Sequence, residues 1–308
     1  MDRLTAERMF VAVIETGSFT AAAQRMGTQS GQASKLISRL EADLGVRLLN
    51  RTTRAVAPTE AGRAYYDRLR GLIDEFDGLT DSLRDGAQHP RGLLRIAAPM
   101  SMGQLVLAPA LADFAIRYPD IALDVQFADR FASLVDEGFD LAIRAGRPAE
   151  SSLIARRIGS FRMVTLAAPA YLGPRGVPVQ PADLTQHDCI IDSNFPDPLR
   201  WPYRDADGAA LTVPVAGRLR LSDAGACLIA AERGLGIACT PEFVALPALA
   251  RGRVVQMLDA FTPEPQPISV LYPAGRHVPL KMRLLIEELA ARFAGGLSKV
   301  MPTDSISE

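Results

Sequence analysis

Residues 18–40 most constrain what this chain can fold into, because two helix-forming segments meet there at a single glycine. Ser18 is a favourable N-cap residue, since its hydroxyl can accept a hydrogen bond from an unpaired N–H of the first helical turn. Gly27 supplies a residue that readily adopts the left-handed conformation and so ends the first helix. The apolar residues between them recur at helical spacing and predict one buried face: Phe19, Ala22, Ala23 and Met26.

A second helix is predicted after the glycine. Its apolar residues share one side, which comprises Ala33, Leu36, Ile37, Leu40 and Leu44. Its small and polar residues share the opposite side, which comprises Gly31, Gln32, Lys35, Ser38 and Arg39. Two short helices, a tight glycine turn and a basic outer face are typical of a helix-turn-helix. The alternative is a small helical hairpin whose polar face is merely solvated.

The residues that follow favour the first interpretation. The run Leu40-Glu41-Ala42-Asp43-Leu44-Gly45-Val46-Arg47-Leu48-Leu49-Asn50-Arg51-Thr52-Thr53-Arg54, followed by Pro58-Thr59-Glu60-Ala61-Gly62, resembles the signature of LysR-type transcriptional regulators. In that family the helix-turn-helix carries a two-stranded wing and is followed by a long linker helix. Residues 91–295 resemble the family's effector domain more loosely.

The resemblance implies an α/β protein overall, with an N-terminal winged helix-turn-helix, a long linker helix and an effector domain. We expect the DNA-binding domain in residues 1–58, and the linker or dimerisation helix with its hinge in residues 59–90. Residues 91–300 would form a two-lobed, periplasmic-binding-protein-like α/β effector domain. Its first lobe would comprise residues 91–162 and 266–296, and its second lobe residues 163–265.

The charge distribution agrees with a DNA-binding module attached to a larger, nearly neutral domain. The chain of 308 residues has a formal net charge of −1, but the segment from Arg25 to Arg54 has six basic and two acidic residues. The first residues are charged, and no uncharged segment is long enough to span a membrane. We therefore expect a cytoplasmic protein with no membrane partner.

Cysteines and histidines do not indicate a catalytic, metal or cofactor site. The three cysteines are Cys189, Cys227 and Cys239, and the three histidines are His89, His187 and His277. The cysteines are odd in number and widely spaced, so we interpret them as buried small residues; a redox-sensing pair is the alternative. An enzyme with Cys189 as nucleophile and His187 as base would lack an evident third orienting group. A solute-binding protein would lack the DNA-binding module. The sequence thus predicts a non-enzyme with no cofactor and no metal.

A long amphipathic helix is predicted after the wing, capped by Thr59 and running to Arg84. Within it, apolar residues recur at alternating steps of four and three: Tyr65, Leu69, Leu72, Phe76, Leu79 and Leu83. Such a heptad seam needs another helix to bury it, which predicts a homodimer. The alternative is a helix packed against its own domain. We also expect the effector lobes to associate dimers into a homotetramer.

From residue 93 onward, short apolar runs alternate with helical segments. The predicted strands are 93–97, 121–127, 140–144, 161–168, 189–192, 211–215, 236–239 and 268–272. The predicted helices are 103–118, 132–137, 224–233, 241–249 and 279–293. Strands that alternate with helices favour a parallel α/β sheet in each lobe.

The candidate DNA contacts lie on the two helices of the motif and on the wing. They are Thr20, Gln29, Ser30, Gln32, Ser34, Lys35, Ser38, Arg39, Arg51, Thr53 and Arg54. The first turns of a recognition helix enter the major groove, where glutamine can bond adenine and lysine can reach guanine. Arg51 and Arg54 can neutralise phosphates, which adds affinity and salt dependence but little sequence information. Ser34 is a candidate for base contact as well; the alternative is that it stabilises the helix or contacts phosphate without reading a base.

A candidate effector site is predicted at strand ends that precede helices. It comprises Ser101, Met102, Gly103, Arg144, Ser193, Asn194, Ser222, Asp223 and Thr240. Open α/β lobes bind ligands outside the carboxyl ends of their strands, and helix N-termini attract anions. We therefore expect a small polar molecule with a carboxylate between the lobes. Alternatively, Ser101 and Asp223 merely cap helices and Arg144 forms an internal ion pair. A capping Asp223 that faced the cleft would disfavour an anion on that wall.

Together these features predict a sequence-specific, bacterial-type transcriptional regulator modulated by a small, carboxylate-bearing effector. The alternative is an effector-independent repressor or architectural DNA-binding protein. The expected partners are double-stranded DNA of a dyad-symmetric operator or promoter, the effector, further copies of the chain, and RNA polymerase.

Overall fold

The computed structural model describes residues 3–51, 56–83, 90–129, 138–146, 153–274 and 278–297. The chain forms two compact units. The first comprises Met1–His89 with Arg276–Leu280, and the second comprises Pro90–Gly275 with Lys281–Glu308.

The first unit is a winged helix-turn-helix followed by a long helix. Its elements are α1 (Arg3–Thr16), α2 (Phe19–Arg25), α3 (Ser30–Leu44), β1 (Leu49–Arg51), β2 (Val56–Pro58) and α4 (Glu60–Leu83). Strands β1 and β2 pair antiparallel, with Leu49 opposite Pro58. The two helices and the wing expected from the sequence are therefore present.

Local signals set the boundaries of the helix-turn-helix as expected. Ser18 is the N-cap of α2, and its hydroxyl accepts a hydrogen bond from the N–H of Ala21 at 3.4 Å. Gly27 has a φ of +65° in the turn, and Gly45 ends α3 with a φ of +68°. The apolar faces of the helices meet in one core, which includes Phe10, Val13, Ala22, Ala33, Ile37, Leu40 and Leu48.

The second unit contains two lobes, each built on a five-stranded sheet. The first lobe contains β3 (Gly92–Ala98), α5 (Met100–Met102), α6 (Ala108–Arg117), β4 (Ile121–Phe127), β5 (Leu141–Ala145) and β6 (Leu153–Phe161). The second lobe contains β7 (Met163–Ala167), α7 (Pro169–Arg175), β8 (Asp188–Asp192), β9 (Arg200–Arg204), β10 (Ala210–Pro214), β11 (Ala216–Leu221), α8 (Ala224–Glu232), β12 (Ile237–Pro241), α9 (Glu242–Ala250) and β13 (Val255–Met257). The chain then returns to the first sheet with β14 (Gln266–Pro273) and continues into α10 (Leu280–Phe293).

Both sheets are mixed, so the expectation of purely parallel sheets is wrong. The first sheet has the order β4-β3-β5-β14-β6, and the second has the order β11-β8-β12-β7-β13. In the first sheet β14 runs antiparallel to β5 and β6, and in the second β7 runs antiparallel to β12 and β13. The antiparallel strands are those that cross between the lobes. The local alternation of strands and helices could not show their direction.

Three further sequence expectations need correction. The strand expected at 161–168 is two strands in different sheets, since β6 ends at Phe161 and β7 begins at Met163. The helix expected at 103–118 begins at Met100 and widens into a π-helical turn at Gly103–Leu107, just before Pro109, which has no N–H to donate. The strand expected at 211–215 is β10, which within the described residues forms a separate two-stranded hairpin with β9. The helix expected at 132–137 lies outside the described residues.

Candidate DNA-binding surface and effector cavity

Helix α3 presents one polar face to solvent while its opposite face is buried. Ala33 and Ile37 are completely buried in the core of the first unit. The predicted contacts that are exposed are Thr20, Gln29, Ser30, Gln32, Lys35, Ser38 and Arg39. Ser34 is half-buried. The structure thus places the predicted base-reading side chains together on the outer side of a helix whose position is fixed by packing.

The wing is held against α3 by a carboxylate. Glu41 Oε1 accepts hydrogen bonds from the N–H groups of Leu48 and Leu49, at 2.9 and 3.0 Å. These two residues lead into β1 and are nearly inaccessible to solvent. A charged acceptor strengthens such bonds, so Glu41 fixes the start of the wing relative to the recognition helix.

The motif at 58–62 clamps the other side of the wing. The Thr59 hydroxyl donates to the carbonyl of Arg47 at 2.8 Å and accepts from the N–H of Gly62 at 2.9 Å. The Thr59 N–H donates to the carbonyl of Leu48 at 2.9 Å. A Cβ at Gly62 would lie 1.9 Å from that carbonyl oxygen, so only glycine allows α4 to approach the wing this closely.

The tip of the wing lies outside the described residues. Thr53 and Arg54 are among residues 52–55, and the side chain of Arg51 is likewise not described. Their phosphate contacts therefore stay predictions.

The heptad seam on α4 divides into two parts. Tyr65 and Leu69 pack into the core of the first unit, as the alternative interpretation of this helix required. The Tyr65 hydroxyl also donates to Glu7 Oε1 at 2.9 Å, and its ring lies 5.7 Å from that of Phe10. Leu72 and Phe76 are instead exposed, at 62% and 49% of their surface. The side chains of Leu79 and Leu83 lie outside the described part of α4.

A cavity of about 730 Å³ lies between the two lobes of the second unit. Strand ends of both sheets contribute to it. Its polar lining includes Ser101, Asp129, Arg144, Asp192, Asn194, Asp197, Arg200 and Gln266. Its apolar lining includes Met102, Phe161, Met163, Phe195, Cys239, Pro241 and Phe243. A cavity of this size and composition suits a small molecule with an apolar body and one or two polar groups.

Two hydrogen bonds join the lobes at one edge of the cavity. Ser101 Oγ donates to Asp223 Oδ2 at 2.6 Å. Asn194 Nδ2 donates to Asp129 Oδ2 at 3.2 Å and to the carbonyl of Ser222 at 2.6 Å. Because Asp223 also accepts from the N–H of Ala226 at 2.8 Å, it caps α8 as the alternative interpretation proposed. The hydroxyl of Ser101 is thus committed to a carboxylate of the protein.

Asp192 makes the same edge more acidic. It is buried, and its Oδ1 accepts from the N–H of Asn194 at 2.9 Å. Burial raises the pKa of Asp192 above its ordinary value, and the nearby carboxylates of Asp129 and Asp223 raise it further. This edge therefore disfavours an anionic group.

Four of the nine predicted effector residues line the cavity, namely Ser101, Met102, Arg144 and Asn194. The other five do not. Gly103 packs against the Phe127 ring, which a Cβ would approach to 2.3 Å. Ser193 bonds the carbonyl of Leu221 at 3.0 Å, and Thr240 is completely buried. The carbonyl of Ser222 accepts a hydrogen bond from Asn194, and the side chain of Asp223 caps α8.

Comparison with known proteins gives the family. Residues 4–63 match the bacterial regulatory helix-turn-helix protein, lysR family, and residues 87–294 match the LysR substrate binding domain. The chain belongs to the LysR family. It is therefore a DNA-binding transcriptional regulator with an effector-binding domain.

Relatives along the whole length agree with this assignment. An uncharacterized HTH-type transcriptional regulator of Haemophilus influenzae is 36% identical over 92% of this chain and 98% of its own. The HTH-type transcriptional activator AaeR of Escherichia coli is 33% identical over 95% and 94%. The full-length structure of the Vibrio cholerae virulence activator AphB, a member of the same family, has a TM-score of 0.60 at 29% identity and covers 95% of this chain and 100% of that one.

In this LysR-family regulator the cysteines are poor candidates for reactive groups. All three are buried and unpaired as thiols, and burial raises the pKa of each to about 12. His187 lies beside the Tyr171 hydroxyl at 3.4 Å. Among the residues that the structure describes, none form a group of three or more metal-binding side chains. Within the same residues, no helix is both long and apolar enough to cross a membrane.

Several site residues were missed by the sequence analysis. Asp129 and Arg200 line the cavity, and Glu41 holds the wing. Asp129 lies two residues after the end of β4, so its position after a strand end was a usable signal. Arg200 begins β9 in the hairpin, and no local pattern showed that this hairpin turns toward the cleft.

Proposed function

We propose that the chain recognises a dyad-symmetric operator through the exposed face of α3, and that an effector bound between the lobes modulates this recognition. The observation that supports DNA reading is the grouping of Gln29, Gln32, Lys35 and Arg39 on one exposed face of a helix anchored by buried residues. A recognition helix needs this arrangement, because its side chains must reach base edges while its backbone stays fixed.

We propose different roles for the two ends of this surface. Gln29, Ser30, Gln32 and Lys35 occupy the first turns of α3 and would contact base edges. Phosphates would be bound by residues further along α3, beside it and in the wing: Thr20, Ser34, Ser38, Arg39, Arg51, Thr53 and Arg54. Phosphate contacts carry affinity for any sequence, whereas base contacts carry preference.

The test compares Gln32→Ala with Arg51→Ala on an operator selected by the wild-type chain from random duplex DNA. Gln32→Ala should relax preference at one base position by about 1–3 kcal/mol and leave random-sequence affinity unchanged. Arg51→Ala should weaken all sequences alike and reduce the salt slope by about one unit. Gln24→Ala is the matched control, because Gln24 is an exposed glutamine on α2 and not on α3. Equal losses on specific and random DNA for both variants would refute the division of roles.

For the effector we propose a small carboxylic acid with an apolar body. Arg144 and Arg200 line the cavity and can bind the carboxylate, which at Arg200 would compete with Asp197, whose Oδ2 lies 3.8 Å from Arg200 Nε. Phe161 ends β6, at the opposite edge of the first sheet from β4, and its ring lies 5.7 Å from that of Phe243 at the start of α9. With Met163 at the start of β7, these residues offer an apolar wall. The body of the ligand would lie against this wall.

Sheet geometry places Asp129 and Arg144 apart in the cavity. Asp129 follows β4 and Arg144 lies on β5, with β3 between them. Neighbouring strands are spaced by about 4.8 Å, so these two positions are separated by roughly 10 Å. A monocarboxylate can therefore bind at Arg144 without approaching the carboxylates at the other edge. A dicarboxylate that spans both ends would meet repulsion.

A thermal-shift screen of aromatic and aliphatic acids, with the corresponding neutral amides as controls, tests this proposal. A monocarboxylate present at about one hundred times its Kd should stabilise the wild type by about 2.7 kcal/mol, and its amide should not. Arg144→Ala should abolish this stabilisation and the effect of the acid on the DNA footprint. Arg156→Ala, at an exposed arginine on β6 that does not line the cavity, should preserve both. If no acid stabilises the wild type, the effector-independent alternative is favoured.

The remaining features of the function stay proposals of the same kind. We propose dimerisation through α4, association of effector domains into a tetramer, contact with RNA polymerase, and a role that involves no catalysis. We also propose the domain boundaries 1–58, 59–90 and 91–300 given above. The relatives are regulators, which supports the general role but not these particulars.

A further inference from the structure

Glu15 connects three helices of the DNA-binding unit through one carboxylate. It lies at the end of α1, and its Oε2 accepts from Arg25 Nη1 at 2.6 Å. Its Oε1 accepts from the Tyr66 hydroxyl at 3.3 Å and lies 3.9 Å from Arg70 Nε. Arg25 is the last residue of α2, whereas Tyr66 and Arg70 belong to α4.

The part of this contact that involves α4 is shielded from water, whereas the Arg25 side chain is 50% exposed. The side chains of Glu15 and Arg70 are 8% and 9% exposed, and Tyr66 is completely buried. Opposite charges in such a setting hold a defined geometry, because moving either one away leaves the other buried without compensation. Tyr66 and Arg70 are four residues apart and so lie on the same face of α4.

The position of the contact gives it a specific consequence. Arg25 precedes the turn that leads into α3, so a constraint on Arg25 acts directly on the orientation of the recognition helix. Glu7 provides an internal comparison. It lies near the other end of α1 and accepts a hydrogen bond from Tyr65 of α4, and within the described residues its second partner is Arg3 of α1 itself. Glu7 thus joins α1 to α4 without reaching α2.

We infer that Glu15 is a positioning residue that fixes the angle between the helix-turn-helix and α4, and thereby the separation of half-sites that the regulator accepts. This inference rests on the proposed dimerisation through α4. In a dimer, the paired α4 helices would set the distance and orientation between the two recognition helices. Without the Glu15 contacts, each recognition helix could reorient relative to α4 and so bind a shifted half-site. Affinity for a single half-site would not depend on the Glu15 contacts.

The experiment measures spacing tolerance separately from half-site affinity. The probes are a dyad-symmetric duplex selected by the wild type, the same duplex with one base pair inserted at its centre, and a duplex with a single half-site. One inserted base pair moves the half-sites apart by about 3.4 Å and rotates them by about a tenth of a helical turn. The wild type should lose about tenfold in affinity on insertion, since simultaneous engagement is impaired.

Glu15→Gln should lose less than about threefold on the same insertion while it binds the single half-site as the wild type does. Glu7→Gln is the matched control and should keep the tenfold loss of the wild type. Tyr66→Phe is a second variant that keeps both arginine contacts of Glu15 and removes only the hydroxyl bond to α4; it should show an intermediate tolerance. If Glu15→Gln does not fold, the measurement on Tyr66→Phe still tests the inference.

The outcomes separate this inference from the proposed function. If Glu15→Gln and Tyr66→Phe discriminate against the inserted base pair as strongly as the wild type, Glu15 does not position the recognition helix. An equal loss on the single half-site and on the dyad would show that Glu15 only stabilises the fold, and would also overturn the inference. If the wild type itself selects no dyad and tolerates the insertion, the proposed dimeric recognition is wrong, and the inference with it.

Discussion

Replacing Leu72 and Phe76 with glutamate should dissociate the dimer that we propose. These side chains are 62% and 49% exposed in the single chain, so that much of each remains to be buried by a partner helix. Full burial of a large apolar side chain contributes about 1.5–3 kcal/mol, which scales to about 2–3 kcal/mol for the exposed parts of both residues in one protomer. Two protomers would then lose about 3–7 kcal/mol, or roughly two to five orders of magnitude in the dimer dissociation constant.

Sedimentation velocity over a wide range of protein concentration measures this loss. The wild type should stay associated at concentrations at which the double variant has dissociated to a smaller species. Arg63→Glu is the matched control, because Arg63 is exposed on α4 but lies off the heptad seam. Circular dichroism should show an unchanged fold in both variants. If the double variant sediments as the wild type does, the exposed part of the seam does not mediate assembly.

Three other outcomes are expected. Gly62→Ala should destabilise the first unit by more than about 1 kcal/mol and weaken DNA binding, because the added Cβ would overlap the Leu48 carbonyl. Thermal unfolding of the variant and the wild type, together with their DNA affinities, measures both effects. The three buried thiols, whose pKa values are raised to about 12, should not react with a thiol reagent at pH 8 in the folded chain and should react after denaturation. Burial raises the pKa of Asp192 in the folded state, so the folded chain binds that proton more tightly than the unfolded chain, and stability falls as pH rises. Asp192→Asn should therefore raise Tm at pH 7, and the gain should vanish below about pH 4; a gain that is equal at both pH values would contradict the cause given.

Local signals predicted the DNA-binding unit well, because its architecture depends on short-range chemistry. Ser18 and Gly27 cap and end α2 as expected, and the apolar spacing in α3 correctly gave Ala33, Ile37 and Leu40 as its buried face. Each of these effects acts within one or two helical turns of the residue that causes it. The resemblance to LysR-type regulators, confirmed by the comparisons, likewise depended on contiguous residues.

The cavity between the lobes was predicted less well, because it is assembled from distant parts of the chain. Ser101 and Asp223 were both singled out as candidates, but only the folded chain shows that they bond each other across 122 residues. Likewise, only the folded chain shows that Asn194 bonds Asp129. It also shows that Arg200, on the β9–β10 hairpin, lines the cavity. The sequence did not predict which strands are antiparallel for a similar reason, because strand direction depends on the sheet that a strand joins and not on its own residues.

The sequence by itself therefore determined the family, the helix-turn-helix, its exposed polar face and the presence of an α/β effector domain. The tertiary structure decided which half of the α4 seam belongs to the domain core, which strand ends meet at the cavity, and that Glu15 joins α1, α2 and α4. The physical reason is the range of the forces involved. Capping and helical periodicity act between near neighbours in the chain, whereas burial and charge pairing depend on which surfaces the completed fold brings together.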